Sequence, residues 1–180
     1  LGCSLEAVVN IDASQLDTSS TIITKRQFFA GATTEFPISL GYQSSDGKLY
    51  FSLDSGGNFT ADLSLSAAIT TGAAHHVVGV YRPNGVCELW IDNVLAAFGS
   101  FTGTIASNGR NWLIGASHGN GGGVGNHRFK GVIDEAAIFS AALSEARIAE
   151  HYAAFAGLPS PGGGGGGSPL PVTHAYGFVS

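Results

Sequence analysis

Over residues 4–12 the chain alternates, with Leu5, Ala7, Val9 and Ile11 in one phase and Glu6, Val8 and Asn10 in the other. A period of two places successive side chains on opposite faces and predicts a half-buried strand. The same alternation returns over residues 48–54 with Leu49, Phe51 and Leu53. Just before it stands Ser44-Ser45-Asp46-Gly47, and Asp-Gly between two strand-like runs predicts a hairpin. Residues 75–81 and 86–92 predict a second hairpin across Arg82-Pro83-Asn84-Gly85, and Ile91-Asp92-Asn93-Val94 is a further strand-turn signal. Residues 112–115 and 128–140 read as closing strands, joined by a loop over 117–126. In the last of these the apolar phase runs through Phe129 and Ile133 and resumes at Ala136 and Ile138, so it slips at Asp134-Glu135, which predicts a bulge.

Only one segment changes to a helical period. Ser144 is placed to cap it, Glu145 suits the positive end of the helix dipole, and Ile148, His151, Tyr152 and Phe155 recur at helical spacing before Gly157 and Pro159 end it. Many short strands followed by one short helix predict an all-β fold, an antiparallel jelly-roll β-sandwich with a C-terminal helix. The pattern divides the chain into a sandwich domain over 1–158, a Pro/Gly-rich linker over 159–171 containing six consecutive glycines, and a C-terminal segment over 172–180. The linker has no side chains to pack and reads as a flexible tether. Val172, Tyr176, Phe178 and Val179 are strand formers, so the tether is expected to end in a strand.

Composition narrows the partners. Only 12% of the 180 residues are charged, about half the usual share, and 27 are glycine, which suits short strands and tight turns. A net charge of −5 with 8 Lys and Arg leaves no basic stripe for a phosphate backbone, so nucleic acid is not an expected partner. No apolar stretch reaches the roughly 18 residues needed to span a bilayer. The opening Leu1-Gly2-Cys3-Ser4 runs straight into a strand pattern and reads as a mature product whose leader was removed. Cys3 and Cys87 share phase with apolar neighbours and are expected to face the core, and the sequence leaves open one disulfide or two buried free thiols.

Several phrases, in order, resemble the laminin-G-like branch of the concanavalin A-like lectin/glucanase jelly rolls. They are Ser4-Leu5-Glu6-Ala7-Val8-Val9-Asn10, Ser45-Asp46-Gly47-Lys48-Leu49, Ala74-His75-His76-Val77-Val78-Gly79-Val80-Tyr81, Leu89-Trp90-Ile91-Asp92-Asn93, Leu113-Ile114-Gly115-Ala116, and the run from Phe129 to Phe139 followed by Ala142-Leu143-Ser144. The resemblance covers residues 4–152 and implies the jelly-roll fold. It also implies further strands before the Leu5 strand, where this chain has almost nothing, so an edge with unpaired backbone groups is expected. Family members carry Trp where this chain has Val8 and Ala74, which implies two core positions filled differently. For Asp134 or Glu135 the resemblance implies a structural anchor beside a calcium ion; a buried acid bonding loop amides is the alternative.

Glucanase relatives hydrolyse glycosidic bonds with carboxylates alternating along one strand, as in Glu-x-Asp-x-Glu, so that both reach the sugar from one face. No such alternation occurs here, and a non-enzymatic domain is expected. His75 and His76 are adjacent on a strand, so they face opposite ways and do not read as ligands of one metal ion. The glycine-rich loop between His118 and His127 lacks the lysine and strand-to-helix setting of a phosphate cradle. Trp90, out of phase with Leu89 and Ile91, and Tyr50 are candidate outward aromatics for a sugar, with cross-strand packing as the alternative. Asn58-Phe59-Thr60 is a glycosylation sequon, meaningful where secreted proteins are glycosylated.

A missing strand at one end and a spare one at the other lead to an expectation of self-assembly. Residues 172–179, with Val172, His174, Tyr176, Phe178 and Val179, would insert into the open edge of a neighbouring copy and build an extracellular fibre or filament. Back-folding onto the same domain would instead give a monomer. The alternative of a different class is a carbohydrate-binding or adhesion module of a larger secreted or cell-surface protein, recognising glycans or calcium through its rim loops.

Overall fold

The computed structural model describes residues 2–15, 18–25, 37–56, 61–105, 109, 111–118 and 124–159. The linker from residue 160, the C-terminal segment with Val172, His174, Tyr176, Phe178 and Val179, and the sequon at Asn58 all lie outside these described residues.

Among the described residues the chain forms β1 (Cys3–Ile11), β2 (Ser19–Thr24), β3 (Ile38–Gln43), β4 (Lys48–Leu53), β5 (Leu63–Ala68), β6 (Ala74–Tyr81), β7 (Val86–Ile91), β8 (Val94–Ser100), β9 (Leu113–Ile114), β10 (Ser117–His118), β11 (Val124–Asn126), β12 (Gly131–Phe139) and α1 (Glu145–Ala156). Two antiparallel five-stranded sheets face each other. Sheet I runs β12-β1-β6-β7-β8 and sheet II runs β5-β4-β3-β2-β9, with β10 and β11 as a separate pair. This is the sandwich that the period-two pattern predicts.

The core forms between the inner phases of the two sheets. Leu5, Ala7, Val9, Ile11, Val77 and Leu89 come from sheet I, and Ile23, Leu40, Leu49, Phe51 and Leu53 from sheet II, all fully buried. Gly79 lies opposite Leu5 and Leu89, and a Cβ there would stand 2.2 Å from the Phe51 ring. The glycine therefore gives the largest buried side chain its place, since interiors pack without spare volume. The turns follow the sequence: Asp92 (φ 51°) and Asn93 (φ 62°) both take left-handed conformations between β7 and β8, as a two-residue hairpin of the primed type requires. The expected bulge is present too. Glu6 pairs with Ala137 but Val8 pairs with Asp134, and Glu135 sits at φ 49° in the extra position.

Helix α1 begins where the capping signal stands. Ser144 is extended and its Oγ accepts the Arg147 N–H, while Gly157 closes the other end at φ 66° with its neighbour Leu158 N–H on Ala153 O at 2.8 Å. Ile148 packs with Leu143 against Val78, Val80 and Trp90, forming a second cluster on the outer face of sheet I. Val8 and Ala74, expected in the core, lie instead on that outer phase: Val8 pairs with His76 and is half-buried, and Ala74 pairs with Asn10 and is exposed.

Sheet I ends at β12, whose inner phase lacks a full roof because the facing sheet ends in the two-residue β9. Ile138, opposite the fully buried Leu5, is 40% exposed, and on the outer phase Val132, opposite Asn10, is 61% exposed. Strand β2 escapes the alternation reading because Ser and Thr fill both of its phases, whereas β5 does alternate, Leu63 and Leu65 against Ser64 and Ser66.

Candidate functional site

The two outer faces of the sandwich differ. That of sheet I is closed at its centre by α1, whereas among the described residues β3, β4 and β5 of sheet II leave theirs open. Their outward positions form cross-strand rows: Ser39–Ser52–Ser64, Gly41–Tyr50–Ser66 and Gln43–Lys48–Ala68. Each is half-buried or exposed, while the alternating Leu40, Leu49, Phe51 and Leu65 are buried. On the next strand Thr21 and Thr24 continue the rows but are buried, so the open face stops at β3. With strands about 4.8 Å apart, the three strands make a platform about 10 Å wide.

Four serines, an amide and a phenol give this face hydroxyls that both donate and accept. Ser52 Oγ and Ser64 Oγ are 3.0 Å apart and share a hydrogen bond. Tyr50 is the aromatic of the middle row. Its hydroxyl donates to Asp46 in the β3–β4 turn, which raises the phenol pKa above its ordinary value. Beside it Gly41 leaves the row bare, and the glycine is needed there because a Cβ would come within 2.6 Å of the Ser20 carbonyl oxygen. A pinned aromatic next to bare backbone and ringed by hydroxyls suits a ligand with one apolar face and many hydroxyl groups.

Trp90, the other aromatic singled out in the sequence, does point outward but is only 6% exposed beneath α1, with its Nε1 donating to Glu88 Oε2 at 2.9 Å. It offers no surface to a sugar. The helix that covers it was itself legible, but which strand it would lie upon was not.

His75 and His76 do take opposite faces. His75 Nδ1 donates to Asp92 Oδ2 at 2.6 Å and its Nε2 shares a hydrogen bond with Thr70 Oγ1. His76 is buried and its Nε2 donates to Glu6 Oε1 at 2.6 Å, while His151 of α1 donates to both Glu6 oxygens at 2.9 and 3.0 Å. Burial pushes the Glu6 carboxyl up, but the hydrogen bonds and charge of the two histidines outweigh it and hold the group below the ordinary glutamate range. These three side chains tie the helix to the sheet. His118 and His127, at the ends of the glycine-rich loop, bond the carbonyls of Asn111 (3.2 Å) and Ser19 (2.8 Å).

Asp134 accepts the Glu135 N–H at 2.9 Å and so holds the bulge. Among the described residues no group of three or more His, Cys, Asp or Glu side chains is arranged to hold a metal ion. Cys3 and Cys87 are both free thiols. Each aligns with Tyr81 from opposite sides, so they stand two strands apart, roughly 10 Å, beyond the Cα separation of about 7 Å that a disulfide tolerates. Burial pushes both thiols up to about 11.

Residues 2–149 match the laminin-G-like family described as the concanavalin A-like lectin/glucanases superfamily. Among solved structures the fold is similar to the CBM40 of Ruminococcus gnavus IT-sialidase bound to α2,3-sialyllactose, at 12% identity and a TM-score of 0.64 over 82% of this chain and 80% of that one. It is also similar to a candidate carbohydrate binding protein from Bacteroides ovatus, at 18% identity and a TM-score of 0.58 over 80% of this chain. A third is a heptameric SAP-like pentraxin from Limulus polyphemus, at 16% identity and a TM-score of 0.57 over 84% of this chain and 69% of that one. The chain spans 38% of the Bacteroides protein and 22% of a similar Trypanosoma rangeli sialidase. No curated protein sequence matches it. With 148 consecutive positions matching and two facing antiparallel sheets in place, the chain belongs to the laminin-G-like family of the concanavalin A-like lectin/glucanases superfamily.

Proposed function

We propose that this domain is a non-catalytic carbohydrate-binding module of an extracellular or cell-surface protein, and that it takes glycans on the open face of β3, β4 and β5. The observation that carries the reading is the row Gly41–Tyr50–Ser66 between serine-bearing neighbours. Tyr50 stacks on the C–H face of a sugar ring, and Ser39, Ser52, Ser64, Ser66 and Gln43 exchange hydrogen bonds with its hydroxyls. The structural likeness to a module solved with a bound oligosaccharide supports it. It differs from the rim-loop binding expected from the sequence, because the polar and aromatic outward positions gather on strands. The test is a glycan array followed by calorimetry. An aromatic stack is worth about 0.5–1.5 kcal/mol, so Tyr50→Ala should weaken binding by about two- to tenfold with the melting temperature nearly unchanged. Absence of any glycan binding, or full binding by the variant, would refute the reading.

A second reading, self-assembly into a filament, is favoured by one observation, the exposed apolar edge at Val132 and Ile138 of β12. In this reading a strand from residues 172–179 adds to that edge in a neighbouring copy. Deleting residues 168–180 should then convert large species in size-exclusion chromatography to monomer, and an unchanged elution profile sinks it.

A further inference from the structure

Resting on the glycan reading of this face, we infer that its ligands are neutral glycans and that sialylated and sulfated ones are disfavoured. The charges of the platform carry this inference. Of its nine outward positions, only Lys48 is charged. Lys48 Nζ lies 3.8 Å from Asp46 Oδ2, so the turn carboxylate cancels it. The same carboxylate oxygen holds the Tyr50 hydroxyl, which puts a negative charge at the rim of the stacking residue.

An acidic sugar needs the opposite arrangement. Carboxylate and sulfate groups are recognised by charge-assisted hydrogen bonds, best from the planar fork of an arginine. None of the nine positions is arginine. Arg82 is committed in bidentate fashion to Glu88, at 2.7 and 2.6 Å, on the other sheet, and Arg147 pairs with Glu150 on α1. Among the described residues of the platform, an acid group brought to Tyr50 would meet serine hydroxyls, one cancelled lysine and the Asp46 carboxylate, within a chain of net charge −5. Its desolvation would go uncompensated. The hydroxyls of a neutral sugar, in contrast, match the serines in kind, each group donating and accepting. The neighbouring fold solved with α2,3-sialyllactose shares only 12% of its residues with this chain, which leaves ample room for a different specificity.

The experiment uses the 180-residue chain on an array that carries neutral oligosaccharides beside their sialylated and sulfated counterparts, lactose against α2,3-sialyllactose among them. At least one neutral glycan should bind about tenfold or more tightly than its acidic counterpart. Its Kd should change less than about twofold between 50 and 500 mM NaCl, because no screened ion pair contributes. Asp46→Asn keeps an oxygen to accept the Lys48 N–H, which Asp46 Oδ1 takes at 3.2 Å, but removes the charge that cancels the lysine. It should narrow the gap between neutral and acidic partners several-fold. Equal or tighter binding of the acidic counterparts by the wild-type chain, with a steep salt dependence, overturns the inference while leaving the glycan reading standing. If nothing on the array binds, the glycan reading itself falls and this inference falls with it.

Discussion

Glu6 shows how one buried side chain binds an element to the sheet beneath it. It stands on the outer phase of β1 and accepts from His76 of β6 and His151 of α1, with His76 itself against the rings of Tyr152 and Phe155. Because its folded pKa lies below the ordinary value of 4.5, its contribution to stability is complete above that pH and is lost as the pH falls through the folded value. Thermal unfolding should therefore show a stability loss below about pH 4.5 that Glu6→Gln reduces. At neutral pH, Glu6→Ala leaves buried imidazole donors without an acceptor and should cost about 1–3 kcal/mol. A flat profile in the wild type, or an acid limb untouched by Glu6→Gln, would show that the histidine pair does not set the acid side. The sequence showed Glu6, His76 and His151 only as three polar residues in separate patterns. Their meeting depends on strand order and on where the helix lands, which no local period encodes.

At the scale of elements, what was legible follows from how local the signal is. The hairpins across residues 44–47 and 82–85, the Asp92-Asn93 turn, the Asp134-Glu135 bulge and the Ser144 cap are each written in a few adjacent residues, and each is in place. β2 was not legible, because serines and threonines in both of its phases blur the alternation that marks a half-buried strand. In β5 the alternation is present, Leu63 and Leu65 against Ser64 and Ser66, and those two serines belong to the candidate face. Helix α1 offers the sharper energetic test. Ile148 is fully buried among Val78, Val80, Trp90 and Leu143. Ile148→Ala should cost about 2–5 kcal/mol in chemical unfolding and raise the fluorescence response of Trp90 to quenchers. A loss under 1 kcal/mol would mean that the helix is only loosely seated.

In the proposed reading, the molecule divides its two outer surfaces between structure and recognition. One sheet carries a helix on its back, and among the described residues the facing sheet presents three bare strands, the side on which a ligand would lie across strands in this reading. This asymmetry sets a comparison in which charge is held constant. Ser64, at the end of the serine row on β5, and Ala154, on α1, are both exposed. Ser64→Glu and Ala154→Glu each add one negative charge to the same chain, so long-range effects on a ligand are matched and only the site of the charge differs. Exposed substitutions of this kind usually shift stability by no more than about 0.5 kcal/mol, with somewhat more at Ser64 for its lost bond to Ser52. On the face, Ser64→Glu removes a hydroxyl partner and brings a hydrated carboxylate into the row, so affinity for a neutral glycan should fall at least about fivefold. Ala154→Glu should bind like the wild type. Equal losses would point to a general charge effect, and a larger loss at Ala154 would move the recognition surface to the helix side of the sandwich.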